Sequence, residues 1–527
     1  MAIAADPDRE SLEADARSAS SRQAQAEDRP QIEVPSVALL TIGVMLGSVM
    51  QVLDTTIANV ALPHMQSALG AALDTVTWVL TSYIVASAIA LPITGWLAER
   101  IGRKELLVGS MAAFVLSSMA CGLSVNLTEM VAFRVLQGIS GAFMLPVGQA
   151  VMLDATRPSS HAKMMGLWGA AVTIGPIVGP ILGGWLTSNY DWRWCFFINV
   201  PLGALALFLI VTNLPRTPRR KMNFDLSGFL LVAVVIAALQ LLLDRGEQID
   251  WFDSGEAWIY AVLTLALGWA AAVHLVTAKN PLFPRGLFAD RNFVVANLTM
   301  VTMTVTVYSV MALLAPLLQN LLGYSVLGAG IAMATRGIGV VISMQASQLL
   351  MRRGLNPRLI VATGLIVTAY SMFRMSGWSL GVDEFEIMLV GLIQGLGLGL
   401  IFIPLNILAF MTLAPPLRTD ASSMLNLTRS IGGSIGIAVT TVLMTRNMQT
   451  NHAELVERLG ADTFGPINPA MAARFGDYGE AALRMVDGEV MRQAAMIAYI
   501  NNFYLIGILC LFSLPVVFLI RKPDKIA

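Results

Sequence analysis

Charged side chains are scarce in this chain: Asp, Glu, Lys and Arg make up 13% of its 527 residues, about half the share of a soluble protein. So little charge cannot coat a water-facing globule of this size. The 34 basic and 34 acidic residues cancel, which removes the electrostatic case for a nucleic-acid partner. The dipeptide Gly-Lys occurs nowhere, so the phosphate-cradling loop of an ATP-driven pump is absent. Cys121, Cys195 and Cys510 are an odd number of cysteines set far apart in apolar stretches, and His64, His161, His274 and His452 are equally scattered. Neither a disulfide framework nor a metal site is expected, and no cofactor. Gly377–Gly381 and Gly432–Gly436 each fit G-x-S-x-G, but neither follows a strand and only His452 comes later. An enzyme is not expected.

Hydrophobic residues, by contrast, make up 56% of the chain, and its mean hydropathy is +0.69. They gather in segments of about 20 residues, each able to cross ~30 Å of hydrocarbon as a helix. Fourteen are expected, near 37–62, 76–97, 105–124, 127–153, 163–187, 194–213, 226–245, 256–277, 293–319, 325–350, 358–378, 385–412, 419–445 and 496–520. The fold class is an all-α polytopic membrane protein. Residues 1–36 and 521–527 read as tails, the first polar and disordered. Arginine and lysine cluster after the even-numbered spans, as in Arg100, Arg103 and Lys104 or Arg352, Arg353 and Arg358. These loops and both termini are therefore expected in the cytoplasm. The stretch 446–495 reads as a long loop on the opposite side. The string Gly95–Lys104 after the second span has a degraded echo in Leu349–Gly354 after the tenth. An offset of eight implies a six-helix bundle (37–213), two extra helices (214–292) and a second bundle (293–520), the repeat architecture of alternating access.

Asp54 reads as the one carboxylate well inside a span, roughly 12 Å from the outer end at 1.5 Å per residue. An acid at that depth is costly and is by default a functional site. Arg134, in the fourth span, reaches nearly the same level from the antiparallel direction. Because arginine keeps its proton, Asp54 is the proton carrier and Arg134 the fixed charge beside it; a permanent salt bridge is the structural alternative. Arg336 and Arg429 are further cations in the tenth and thirteenth spans, with no matching acid, so the cavity leans toward neutral or weakly acidic ligands. Asn59, Gln137, Arg336, Asn406, Asn426 and Arg429 are the candidate cavity residues. In the fifth span, Gly175, Pro176, Gly179, Pro180, Gly183 and Gly184 suit close helix approach. They are expected to form a seam between the halves against Gly328, Ala329, Gly330, Ala332 and Ala334. Gly95, Glu99, Arg100, Gly102, Arg103 and Lys104 form a loop that either latches the halves or only anchors the cytoplasmic face.

The Asp54 string, Arg134–Gly138, the 95–104 loop and the spacing Gly166, Gly175, Gly179-Pro180, Gly183-Gly184 resemble the signature motifs of the major facilitator superfamily. With fourteen spans and the Trp192–Pro201 string, the chain resembles its EmrB/QacA drug:proton antiporters, the EmrB branch most. Glu99 stands where the loop motif usually has Asp. The resemblance implies a proton-coupled multidrug efflux antiporter of the inner membrane, exporting hydrophobic toxic compounds by alternating access on the proton gradient. It also implies a periplasmic adaptor protein and an outer-membrane channel as partners, with 446–495 as the docking surface. The competing expectation is a facilitator-type exporter of an endogenous metabolite, siderophore or lipid-linked compound.

Overall fold

The computed structural model describes residues 30–217, 219, 223–458 and 469–521. Most of the expected tail 1–36, and all of the C-terminal tail but Arg521, lie outside the described residues. The short piece that is described is tethered: the N–H groups of Gln31 and Ile32 donate to the Asp154 carbonyl at 2.8 and 3.0 Å.

Among the described residues every regular element is helical. The long helices are α1 (Val37–Ala68), α2 (Trp78–Ile101), α3 (Arg103–Leu123), α4 (Leu127–Ala155), α5 (His161–Asn189), α6 (Trp194–Asn213) and α7 (Leu226–Arg245). They continue as α8 (Gly255–Thr277), α9 (Arg291–Leu321), α10 (Val326–Arg352), α11 (Pro357–Met375), α12 (Glu384–Phe410), α13 (Arg418–Arg458) and α14 (Pro469–Phe512). Thirteen are long and apolar enough by composition to cross a membrane. The glycine-rich α5, 29 residues long, stands between the fourth and fifth of those, so a long helix occupies each of the fourteen expected positions. Polar caps start several of them: Ser36, Asn126, Asp225, Asp290 and Ser325 each accept an otherwise unpaired N–H of the first turn. Proline marks the irregularities. Pro92 sits in a 3₁₀ turn inside α2, and a π turn, Leu317–Leu321, follows Pro316 in α9.

The described residues of the expected loop 446–495 are helical, while 459–468 lie outside the described residues. Helix α13 carries on to Arg458 and α14 begins at Pro469. Their 41 and 44 residues make each roughly twice the ~30 Å of hydrocarbon at 1.5 Å per residue. Hydropathy finds only the apolar part of such a helix, and the polar continuation reads as loop. Outside the apolar part the two are tied by His452 to Asp487 at 2.9 Å and by Asn451 to the Ala494 carbonyl at 3.3 Å.

Helix pairings repeat with the eight-helix offset seen in the sequence. The pairs α1–α5, α2–α4, α3–α4 and α3–α6 recur as α9–α13, α10–α12, α11–α12 and α11–α14. The two bundles meet where α5 packs on α10 and α12, and where α13 packs on α2 and α4. The extra helices α7 and α8 pair with each other, and α7 touches both α2 and α13.

Candidate functional site

Three polar centres interrupt this apolar body. The first surrounds Asp54, which is fully buried. Its Oδ2 accepts from Arg134 Nη1 at 2.6 Å; its Oδ1 accepts from Gln137 Nε2 at 2.9 Å and from Asn199 Nδ2 at 2.8 Å. Arg134 also donates to the Val79 carbonyl at 2.9 Å and lies 4.3 Å above the Tyr83 ring. Asn199 donates further to Ser118 at 3.0 Å. Five helices of the first bundle thus converge on one carboxylate, and every hydrogen-bonding group reaching it is a donor. That set satisfies an ionised carboxylate. The expectation that Arg134 stands beside Asp54 agrees with this geometry. Asp54 does not face the chamber between the bundles: the carboxyl is enclosed within the first bundle, and Val52, two residues earlier and on another face of α1, lines the chamber instead. Gln137, expected in the cavity, belongs to this knot. Asn199 was visible only as part of a tryptophan-rich string, and nothing in its spacing marks it as a ligand of Asp54.

The second centre is the cavity itself, about 270 Å³, between the bundles. Its wall is apolar and rich in methionine: Met300, Met303, Met311, Met333 and Met344 line it with Tyr308, Phe402 and Val172. Methionine's flexible, polarisable side chain suits ligands of varied shape. Arg336 and Arg429 both line it, as expected, and no carboxylate does. Arg336 makes one long bond, 3.4 Å, to the Val307 carbonyl. Arg429 donates to Asn426 Oδ1 at 3.0 Å and stacks near Phe402 and Trp168, 5.3 and 6.0 Å from the ring centres. Its Nε and Nη2 have no protein partner. Three other candidates are elsewhere. Asn426 is buried as the partner of Arg429 and Ser422. Asn406 is buried against Gln149 and the Phe402 carbonyl. Asn59 is exposed, on the face of α1 that Val52 begins but outside the lining. Asn426 and Asn406 bond chiefly within their own helices, with Gln149 the one partner across helices, and spacing alone does not separate such positions from cavity positions.

The third centre closes one end of the cavity. There Arg418 reaches Asp154 at 3.3 Å, Ser422 donates to Gln149 at 2.6 Å, and Ser423 donates to the Leu91 carbonyl. Each of these joins α13 to the first bundle. Asp154 also pairs with Arg103, which lies 3.8 Å from Glu99. Gly95 lies directly against the Asp420 carboxyl, with no room for a side chain. Gly102 has φ +101°, a value only glycine adopts readily, and turns α2 into α3. Lys104 bonds the Val211 carbonyl at 2.8 Å, and Arg100 is exposed. The 95–104 loop therefore joins the bundles directly through Gly95, and through Arg103 by way of Asp154, which Arg418 shares, while Arg100 and Lys104 serve the surface. Asp154 and Asp420 went unremarked in the sequence because each lies near a helix end, where polar residues are ordinary, and Gln149 because it is an amide inside α4 whose partner is set only by tertiary packing.

The glycine seam of α5 is corrected. Gly175, Gly179 and Gly183 face α1, where an added Cβ would meet Val52 at 2.8 Å, the Thr56 side chain, and Ile57 at 2.8 Å respectively. Gly184 meets nothing, and the side chains of Pro176 and Pro180 lie outside the described residues. Gly166 and Gly169 press on the second bundle, against Gln348 and Phe402, and of the expected α10 partners Gly330 does lie against α5, where an added Cβ would meet Ile181 at 3.3 Å. The four-residue spacing defines one helix face, and α1 of the same bundle occupies it.

Two repeated helical bundles closing on a central cavity define a multi-pass membrane protein of the transporter type. Residues 44–437 match the Major Facilitator Superfamily. The chain is 34% identical over 504 residues to the multidrug export protein EmrB of Escherichia coli (strain K12), covering 93% of this chain and 97% of that one. It is 32% identical to the fatty acid resistance protein FarB of Neisseria gonorrhoeae, covering 94% and 98%. In solved structures its fold is similar to the proton:xylose symporter XylE, with TM-score 0.60 at 12% identity and 92% and 96% coverage. The chain belongs to the major facilitator superfamily.

Proposed function

We propose that this protein is a proton-coupled multidrug exporter of the inner membrane, with its arginine-rich end and both termini in the cytoplasm. The observation that carries this reading is the Asp54–Arg134 pair, a buried ion pair held at 2.6 Å inside the bundle that also supplies one wall of the cavity. A proton arriving at Asp54 removes the charge that holds Arg134, Gln137 and Asn199 on one point. The bundle then repacks, and α1 and α4 pass that repacking to the cavity through Val52 and Leu145 and to the closed end through Gln149 and Asp154. Coupling thus works through the pair's integrity, since Asp54 is closed off from the chamber in this conformation. Hydrophobic small molecules and protons are the partners, and the proton gradient is the energy source in place of a cofactor. The cavity favours neutral or acidic amphiphiles over cations because the only charges among its described lining residues are two arginines. The projecting α13–α14 hairpin is the docking surface we assign to a periplasmic adaptor, which would pass substrate on to an outer-membrane channel.

The test is purified protein in liposomes with an imposed pH gradient, probed with a hydrophobic weak acid, a neutral dye and a cationic dye. Uptake should follow the gradient and collapse with a protonophore, most strongly for the first two probes. Movement that ignores the gradient would remove proton coupling from the account.

A further inference from the structure

A second intramembrane carboxylate escaped the sequence reading. Asp244 lies inside the 226–245 span, one residue from its end, where a hydropathy pass treats acids as loop. The residue as a whole is half-buried, but one carboxyl oxygen is enclosed. Its Oδ2 is buried and has no partner, and its Oδ1 accepts only from Gln240 Nε2 at 3.2 Å, one turn back on α7. The Gln240 amide reaches across to Ser434 of α13 at 2.5 Å. Beside this contact the end of α7 and the turn after it grip both bundles. Arg245 stacks 5.0 Å from the Trp78 ring and Gln248 reaches Thr77, both at the start of α2, while Glu247 accepts from Thr445 of α13 at 3.0 Å.

No charge offsets Asp244. The adjacent Arg245 is taken by Glu256 of α8 at 2.7 Å, and Tyr260 donates to the same carboxyl at 2.7 Å. Glu247 is engaged by Thr445 and by Trp251 at 3.2 Å. On α2 no charged residue occurs between Trp78 and Ala98, and its titratable Tyr83 stands against Arg134. On α13 the nearest cations in sequence to Ser434 are Arg429, which points at the cavity, and Arg446, which is exposed. An ionised carboxylate with a buried, unpartnered oxygen and no cation carries its full desolvation cost. Asp54 sits among donors only; Asp244 has a single donor and lacks what a proton would supply. Exchanging the amide oxygen and nitrogen of Gln240, which are not distinguished by shape, would put a carbonyl 3.2 Å from Oδ1 to accept that proton.

We propose that Asp244 is a second proton-binding residue, at the arginine-poor end, whose neutral form keeps α7 joined to α13 while the arginine-rich end is sealed. Ionisation demands a donor or water at the enclosed Oδ2, which has neither a protein partner nor open access, so it parts α7 from α13 and frees the second bundle to move. The junction of α7 with α13 is a feature of the fold and holds whatever the protein transports.

The experiment is a distance measurement in lipid nanodiscs with spin labels at Asp253→Cys and Gln449→Cys, exposed positions on the two sides of the junction; the native cysteines are buried. The labelled protein should show a pH-dependent lengthening as the buffer turns alkaline. Asp244→Asn should lose that lengthening and keep the short distance throughout, Asp244→Glu should retain it, and Asp54→Asn should retain it too. A distance indifferent to pH, or one that titrates equally in Asp244→Asn, would overturn the assignment. Because the readout needs no substrate, it can fail while the transport assay succeeds, and the reverse.

Discussion

At Asp54 and Arg134 the two charges depend on each other to different degrees. Asp54→Asn removes a charge yet leaves a side chain that can still accept from Arg134, and Arg134 keeps the Val79 carbonyl and the Gln137 side chain as partners. Folding should survive. Gradient-driven transport in liposomes should fall to the background of empty vesicles, while substrate binding, followed by tryptophan fluorescence, stays near normal. Arg134→Met strands a fully buried carboxylate, and breaking such a pair costs about 3–5 kcal/mol. That variant should express poorly and lose thermal stability, and the double variant Asp54→Asn/Arg134→Met should recover most of the loss. If the double variant were no more stable than Arg134→Met, the ion pair would not be what holds this knot together. At this scale the sequence disclosed the charged members of the site, because a charge inside an apolar span is conspicuous. It hid Asn199 and Gln149, amides whose partners are set by tertiary packing, and Asp244, which sits where a span gives way to a turn.

At the scale of the helix, α5 and the α7–α8 pair make different demands. Gly179 sits against Thr56 of α1, so Gly179→Leu should force α5 away from α1 within one bundle and not wedge the two bundles apart. The expected result is a drop in melting temperature together with lost transport, whereas Gly184→Leu, where a Cβ meets nothing, should spare both. The α7–α8 pair is tied at its arginine-rich end by Asp225, which accepts from the Gly228 N–H at 2.9 Å, from His274 at 2.9 Å and from the Leu282 N–H at 3.1 Å. Burial alone would raise this carboxyl, but the Gly228 N–H and the His274 side chain outweigh it and hold it below the usual carboxylate range. A depressed value means the contribution is complete above the ordinary carboxylate range and is lost as pH falls through the folded value. Acid should therefore loosen this pair in the native protein, and Asp225→Ala, costing about 1 kcal/mol as a lost cap, should abolish that part of the acid sensitivity in a thermal-shift series. Helix number and order were legible here because each span repeats the same apolar length. The face each helix turns inward was not: a glycine row announces a close neighbour without saying which.

For the whole molecule, the eight-helix offset linking Gly95–Lys104 to Leu349–Gly354 became a repeated set of helix pairings, so the architecture could be read from one echo. The conformation could not, because two bundles of one sequence can meet at either end. Here Gly330 of α10 lies against Ile181 of α5, and α13 joins the first bundle at the arginine-rich end through Arg418, Ser422 and Ser423. If substrate enters from that end, the joint must open once in every cycle. A short thiol cross-linker across Gln149→Cys and Ser422→Cys, whose native side chains meet at 2.6 Å, should stop transport, and cleaving it should restore the rate. The same linker on either single variant should do little. In the bridged protein, quenching of Trp168, which stands beside Arg429, by added substrate reports separately whether the cavity can still be entered. Transport that continued at full rate with the bridge in place would mean that this joint does not open during the cycle, and the path would have to bypass α13.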